Sequence, residues 1–155
     1  MIKIFRKILV PTDGSALSLT SARAAIGFAS EWGAHIVALS VARPLPAMGL
    51  SEAAGLDMMA EEFSSAQDRS AQKSVTKIRE LAEEAGVQCT AIVTRSDHPY
   101  EAIIEVAMKK RCDVIWIAPR SRNALDKLLL GSQTQRVLAH SAVPVIVYHK
   151  QRWEK

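Results

Sequence analysis

A basic loop ending at Gly131-Ser132 carries the residue types best suited to binding an anion. Arg120, Arg122 and Lys127 lie in this loop, and Ser132 opens an amphipathic segment, as a helix N-cap would. Backbone N–H groups at a helix N-terminus have no partner within the helix, and the helix dipole is positive there. Although a basic loop is often only solvated, this position favours an anion site.

A second candidate is Asp13. It follows the apolar run of residues 7–12 and precedes Gly14-Ser15, a turn signal followed by a helix cap. A carboxylate at the end of a buried strand is well placed to contact a ligand. Asp before Gly-Ser is also ordinary turn and cap chemistry, and the two interpretations are about equally supported.

The sequence shows no arrangement typical of catalysis. Ser15 and Ser132 have no histidine and acid beside them, so both are interpreted as helix caps. Cys89 and Cys112 have no CxxC spacing and are interpreted as small core residues. The four histidines lack the spacing of metal ligands. They are His35, His98, His140 and His149. We therefore expect no metal site and no dedicated enzyme.

Length and composition favour one domain. The chain has 155 residues, of which 48% are hydrophobic, and this is enough for a single core spanning residues 1–155. No apolar run approaches the roughly 20 residues of a membrane helix, and residues 1–7 lack the apolar centre of a secretory signal. We expect a cytoplasmic protein without a membrane partner. The net charge of +4 is mild and makes a nucleic-acid partner unlikely.

Apolar runs and amphipathic segments alternate along the chain. Strands are predicted at residues 7–12, 36–41, 88–94, 114–118 and 145–148. Helices are predicted at residues 15–32, 56–85, 100–110 and 133–140. Strict alternation indicates an α/β fold with a parallel sheet and helices on both faces. Ligands bind such sheets beyond the carboxyl ends of the strands.

One segment has no clear period. Residues 44–55 are interpreted as a mobile loop because they contain Pro44, Pro46 and Gly49 and show no clear alternation. Met48, Met58 and Met59 could form an adaptable contact surface, but plain packing is the favoured interpretation.

The two ends of the chain resemble the universal stress protein family. Residues 7–15, Lys-Ile-Leu-Val-Pro-Thr-Asp-Gly-Ser, are similar to the family's first strand and acidic turn. Leu128-Leu-Leu-Gly-Ser, Arg136-Val-Leu and Val143-Pro-Val-Ile-Val are similar to its closing signature. The resemblance extends from Arg6 to about His149. It implies an open, Rossmann-like five-stranded sheet in the order 3-2-1-4-5, usually paired into dimers.

The resemblance also implies a nucleotide site. Many members of the family bind ATP through a loop written Gly, two residues, Gly, nine residues, then Gly-Ser or Gly-Thr. By resemblance, Pro11, Thr12, Asp13 and Val41 line adenine and ribose, with Asp13 accepting from the ribose hydroxyls or holding magnesium. The other half of the site, called the phosphate half because it would hold the phosphate groups, corresponds by resemblance to Ala118, Pro119, Arg120, Ser121, Arg122, Gly131, Ser132 and Gln133.

The phosphate half departs from the family pattern. Ala118 and Ser121 occupy the first two glycine positions, and Pro119 has no N–H to offer a phosphate. A Cβ at Ala118 is unfavourable if the backbone there needs close approach or positive φ. Gly131 and Ser132 retain the helix N-terminus. We therefore expect ATP or AMP to bind weakly or not at all.

Three functions remain open. The preferred one is a cytosolic stress-response and regulatory domain that acts as a dimer. The alternatives are an ATP or AMP sensor that uses the Asp13 turn and the 118–132 loop, and a slow ATPase. The dimer is expected to form through residues 144–148, because an apolar edge strand is normally covered. The sequence does not identify protein partners or the stress involved.

Overall fold

The computed structural model describes residues 4–44, 54–120 and 129–150, with side chains of the second helix described from residue 58. The elements are β1 (Lys7–Pro11), α1 (Ala16–Trp32), β2 (His35–Ala42), α2 (Ala54–Glu84), β3 (Cys89–Arg95), α3 (Pro99–Lys109), β4 (Val114–Ile117), α4 (Ser132–His140) and β5 (Val145–Val147). The predicted alternation of strands and helices is confirmed, with boundaries that differ by one or two residues.

The five strands form one parallel sheet in the order β3-β2-β1-β4-β5, as predicted. Asp113, which precedes β4, links that strand to the start of β1. Its Oδ2 accepts hydrogen bonds from the backbone N–H groups of Arg6 at 2.7 Å and Lys7 at 2.8 Å. These bonds help fix the register of the two central strands. The carboxyl ends of β1, β2 and β4 consequently lie side by side.

Both faces of the sheet are covered. On one face, Ile8, Val10 and Ile36 pack in a cluster with residues of α1 and α2, among them Ile26 and Ile78. On the other face, strand residues pack with α3 and α4. This second cluster includes Leu9, Leu39, Ile115, Ile103 and Val137. Coverage on both faces explains why the central strands are continuous apolar runs rather than alternating ones.

The ends of α1 follow local sequence signals. Ser15 is the N-cap, as predicted, because its Oγ accepts a hydrogen bond from the Ser18 N–H at 3.1 Å. Gly33 ends the helix in the left-handed conformation at φ 66°. The Ala34 N–H then donates to the Ala29 carbonyl oxygen at 3.0 Å. The Ser15 cap holds the start of α1 next to the turn that follows Asp13.

Two expectations for the segment around α2 are wrong. Gly55 belongs to the predicted loop, but α2 begins at Ala54 and continues the helical hydrogen-bonding pattern through it. Met58 and Met59 are 67% and 66% exposed, so they do not serve as packing filler. The rest of the loop prediction, at residues 45–53, lies outside the described residues. No helix in the described part of the chain is long and apolar enough to cross a membrane.

Candidate functional site

A cleft of about 200 Å³ opens at the carboxyl ends of β1, β2 and β4, beside the N-terminus of α4. Nine residues predicted for the site line it: Pro11, Thr12, Asp13, Val41, Ala118, Arg120, Gly131, Ser132 and Gln133. Among the other predicted residues, Pro119 is described and is not part of the lining. Pro119 is buried, while Ser121 and Arg122 lie outside the described residues, as does Lys127.

The β1 side of the cleft is held by a chain of hydroxyl groups. The Gly14 N–H donates to Thr12 Oγ1 at 3.1 Å, and Thr12 Oγ1 lies 2.9 Å from Ser18 Oγ. Ser18 Oγ donates its proton to the Ser15 carbonyl oxygen at 2.9 Å. The Thr12 hydroxyl must therefore be the donor to Ser18. The Thr12 hydroxyl can therefore accept a hydrogen bond from a ligand in the cleft but cannot donate one.

Asp13 makes the turn contact suggested by the sequence and also lines the cleft. Its Oδ1 accepts a hydrogen bond from the Ser15 N–H at 2.9 Å, which confirms the turn interpretation. The side chain is exposed and lines the cleft. Because a carboxylate has several acceptor sites, the turn contact does not exhaust its capacity for hydrogen bonds. Asp13 is thus placed to meet a polar ligand group.

The connection from β4 to α4 is closed by two hydrogen bonds at its ends. The Gly131 N–H donates to the Pro119 carbonyl oxygen at 2.8 Å, and Thr134 Oγ1 donates to the Ala118 carbonyl oxygen at 3.0 Å. Thr134 is buried at 4% exposure. These bonds bring the start of α4 to the end of β4. The amide groups of the first helical turn therefore lie at the cleft.

The prediction that Ser132 caps α4 is wrong by one residue. Gly131 is the N-cap, with extended backbone angles of φ −62° and ψ 152°, and its carbonyl oxygen accepts from the Gln135 N–H at 3.0 Å. Ser132 is the first helical residue. The cap position makes no side-chain hydrogen bond. The polar groups at the N-terminus of α4 are therefore the backbone N–H groups of its first turn.

The argument from positive φ at Ala118 is also wrong. Among the described residues, Arg111 is the non-glycine residue with positive φ, at 54°, so Ala118 carries no left-handed strain. Ala118 is buried at 6% exposure. The remaining consequence of losing glycine here is the volume of one methyl group at the cleft wall.

Gln133 joins the N-termini of α3 and α4. Its Oε1 accepts a hydrogen bond from the Tyr100 N–H at 3.0 Å, in the first turn of α3. Pro99 begins that helix, as predicted, and the His98 N-cap makes no side-chain capping bond. Gln133, which lies in α4, therefore provides the side-chain acceptor that the N-cap of α3 does not provide. Its oxygen is therefore engaged in structure, while its amide N–H groups remain the part suited to a ligand.

Seven lining residues were missed by the sequence analysis. They are Ser18, Leu39, Arg43, Pro99, Ile103, Ile117 and Thr134. A usable signal existed on β2, because strand side chains alternate between faces, and Leu39 therefore lies on the same side as the predicted site residue Val41. Ile103 and Thr134 come from helices that reach the cleft only through tertiary packing.

The cleft has the charge of an anion site. Arg43 and Arg120 line it together with one carboxylate, Asp13. The N-terminus of α4 adds partial positive charge. Among the described residues, no three histidine, cysteine or acidic side chains converge as a metal site. The arrangement suits binding of an anion with an apolar part, because Leu39 and Ile117 supply apolar walls.

The two cysteines lie outside the cleft lining. Burial raises the pKa of the Cys112 thiol to about 11, and burial likewise raises the pKa of Cys89. Both thiols are therefore protonated at neutral pH, which makes them poor nucleophiles. Cys112 is buried, as predicted for a core residue, whereas Cys89 is only half-buried.

Comparisons with known proteins agree with the family resemblance and the fold. The family model described as the universal stress protein family matches residues 4–149. Universal stress protein MJ0531 of Methanocaldococcus jannaschii is 32% identical over 151 residues, covering 97% of this chain and 86% of that protein. The structure of universal stress protein UspA from Lactobacillus plantarum superposes with a TM-score of 0.79 at 21% identity, covering 94% of this chain and 98% of that one.

Two further similar structures contain an adenine nucleotide. One is a universal stress protein in complex with cAMP, with a TM-score of 0.70 and 21% identity, covering 96% of this chain and 99% of that one. The other is the universal stress protein from Archaeoglobus fulgidus in complex with dAMP, with a TM-score of 0.61 and 17% identity, covering 93% of this chain and 98% of that one. At these identities the likeness concerns the fold.

Proposed function

Because the chain belongs to the universal stress protein family, we propose that it is a cytoplasmic stress-response and regulatory domain, which acts as a homodimer and binds adenine nucleotides weakly. The observation that carries the binding proposal is the cleft. It gathers Asp13, Val41 and the start of α4 in one place, although they are distant in sequence. The cAMP and dAMP complexes of two similar structures support adenine as the base.

Weak binding follows from the unequal quality of the two halves of the cleft. The nucleoside half rests on β1, where the Thr12 N–H donates to the Leu39 carbonyl oxygen at 2.8 Å. In the phosphate half, Pro119 has no N–H to donate, and the Gly131 N–H already donates to the Pro119 carbonyl oxygen. Arg120 is half-buried and lines the cleft, so it can add charge, but salt weakens this contribution wherever solvent reaches the cation. We therefore expect dissociation constants for AMP and ATP above about 0.1 mM at physiological salt.

Calorimetric titration tests the nucleotide proposal. Asp13→Ala should weaken AMP binding further, whereas Asp97→Ala should not, because Asp97 is an exposed acid outside the cleft lining. Tight binding that depends on Asp13 would instead support a dedicated ATP or AMP sensor. If neither nucleotide binds at millimolar concentration, the nucleotide part of the proposal is wrong. We expect no ATP turnover at an enzymatic rate, and Asp13-dependent turnover would contradict this.

The dimer proposal rests on β5, the strand at the end of the sheet. The Tyr148 N–H donates to the Ile117 carbonyl oxygen at 3.0 Å, so backbone alternation directs the Val147 N–H away from β4. Val145 and Val147 are only half-buried. An apolar edge of this kind is suited to pairing with a second copy.

Light scattering at micromolar concentration tests this interface, and a dimer is expected. Val147→Pro removes the outward N–H without removing a bond to β4, so this variant should be a folded monomer. Val147→Ala keeps the N–H and should retain more of the dimer. A monomeric wild-type protein would refute the proposal, and so would a Val147→Pro variant that stays dimeric.

A further inference from the structure

We propose that Arg43 stacks its guanidinium group on the base of the bound nucleotide and so sets the affinity for the nucleoside rather than for the phosphate. This inference rests on the proposed nucleotide binding. Arg43 lines the cleft at the carboxyl end of β2, outside the set of residues that the sequence suggested. It would act as a specificity residue on the side of the cleft opposite α4.

The backbone position of Arg43 is set by its neighbour at the end of β2. Arg43 follows Ala42, which is buried at 3% exposure, and the Ala42 carbonyl oxygen accepts from the Ser96 N–H at 3.1 Å. Arg43, one residue beyond the end of β2, lines the same cleft as Leu39 and Val41. The Arg43 side chain therefore shares the cleft with the apolar wall that Leu39 and Val41 contribute.

No described residue neutralises Arg43. Among the described residues, it makes no hydrogen bond or ion pair, whereas Arg95 is paired with Asp68 and also bonds to Ser64. The comparison is close because Arg95 lies on β3 opposite Ala42, one residue from Arg43 in register. Arg95 fastens α2 to the sheet. Arg43, in contrast, is an exposed cation that lines a cleft.

The strand order decides which part of the ligand Arg43 meets. The strands lie in the order β2-β1-β4, so β2 and β4 are about 10 Å apart. An anionic group at the N-terminus of α4 lies on the β4 side, near Gly131. The base, at the other end of a nucleotide, then lies on the β2 side beside Val41. Arg43 is on the base side as well, and this separation argues against a phosphate contact.

Stacking is the interaction that this geometry favours. Val41 offers an apolar surface to one face of a purine, and the exposed Arg43 side chain can cover the other face. A planar guanidinium packs well on an aromatic ring, and it is more weakly hydrated than an ammonium group. At a partly exposed site, a cation over a ring contributes about a two- to fivefold change in affinity.

NMR titrations with adenosine and with AMP test the inference. Arg43→Ala should weaken binding of both ligands by the same factor, about two- to fivefold. Arg43→Lys keeps the charge but loses the planar group, so its adenosine affinity should lie between those of Arg43→Ala and the wild-type protein. Arg120→Ala should weaken AMP alone. Arg23→Ala is the matched control, because Arg23 is an exposed arginine on α1 outside the cleft lining.

The outcomes separate this inference from the proposed function. If Arg43→Ala weakens AMP but not adenosine, Arg43 contacts phosphate and the stacking proposal is wrong. If it weakens neither, Arg43 does not contact the ligand and the proposal is equally wrong. If the wild-type protein binds neither adenosine nor AMP, the proposed nucleotide site itself fails, and the role of Arg43 fails with it.

Discussion

The buried hydrogen bond from Thr134 to Ala118 should control both stability and nucleotide binding. Thr134→Val keeps the size of the side chain but removes the hydroxyl that donates to the Ala118 carbonyl oxygen at 3.0 Å. Thr134 is 4% exposed and Ala118 is 6% exposed, so water cannot easily replace the lost donor. Leaving a buried carbonyl unsatisfied costs about 1–2 kcal/mol of unfolding free energy.

Urea denaturation measures this loss. With a slope of about 2 kcal/mol per molar urea, the midpoint of Thr134→Val should fall by about 0.5–1 M. The same variant should bind AMP more weakly, because the bond anchors the start of α4 to the end of β4. A normal AMP affinity together with a lowered midpoint would show that the anchor does not organise the cleft.

Thr134→Ser provides the control. It keeps the hydroxyl and removes a buried methyl group, which costs about 0.8 kcal/mol by the loss of apolar burial. Its stability should therefore fall slightly, while its AMP affinity should stay at the wild-type value. If the valine and serine variants have equal midpoints and equal AMP affinities, the hydrogen bond contributes neither to stability nor to the site, and the reasoning is refuted.

Two further predictions concern the α3–β4 connection. Arg111→Gly should raise the unfolding free energy by about 0.5–1 kcal/mol, because Arg111 sits at φ 54° in a conformation that glycine adopts without strain; an unchanged urea midpoint would contradict this. Burial raises the pKa of Cys112 from 9.0 to about 11, so the native state retains a proton that the unfolded state loses. This contribution to stability is fully present below pH 9 and lost as the pH rises toward 11. Cys112→Ala should therefore show a smaller loss of stability over this range in urea titrations, and an identical loss would contradict the assignment.

The elements that the sequence predicted well are those with local signals. The continuous apolar run at residues 36–41 indicated a strand covered on both faces, and β2 is such a strand. Ser15 and Gly33 marked the ends of α1 because capping and left-handed termination depend on a few neighbouring residues. The strand order came from the family resemblance rather than from these signals.

The details of the site depended on contacts between distant residues. Gln133 caps α3 across 33 positions, and Thr134 bonds to Ala118 across 16 positions. Neither contact produces a periodic pattern or a motif that can be recognised in the sequence. Ser132 was mistaken for the cap because serine has a high intrinsic preference for that position, while the backbone places Gly131 there. Arg43 was missed because it lies beyond the last apolar residue of its strand.

The two halves of the cleft depend on different parts of the fold. The nucleoside half is built on β1 and β2, whose backbones are held by the central ladder of the sheet and by the Thr12–Leu39 bond. The phosphate half depends on how α4 is held against β4, and Gly131 and Thr134 supply the two bonds described there. Changes around Ala118 can therefore weaken phosphate binding without disturbing the sheet that shapes the nucleoside half. A cleft built in this way can lose affinity for phosphates while keeping a surface for the base and the sugar.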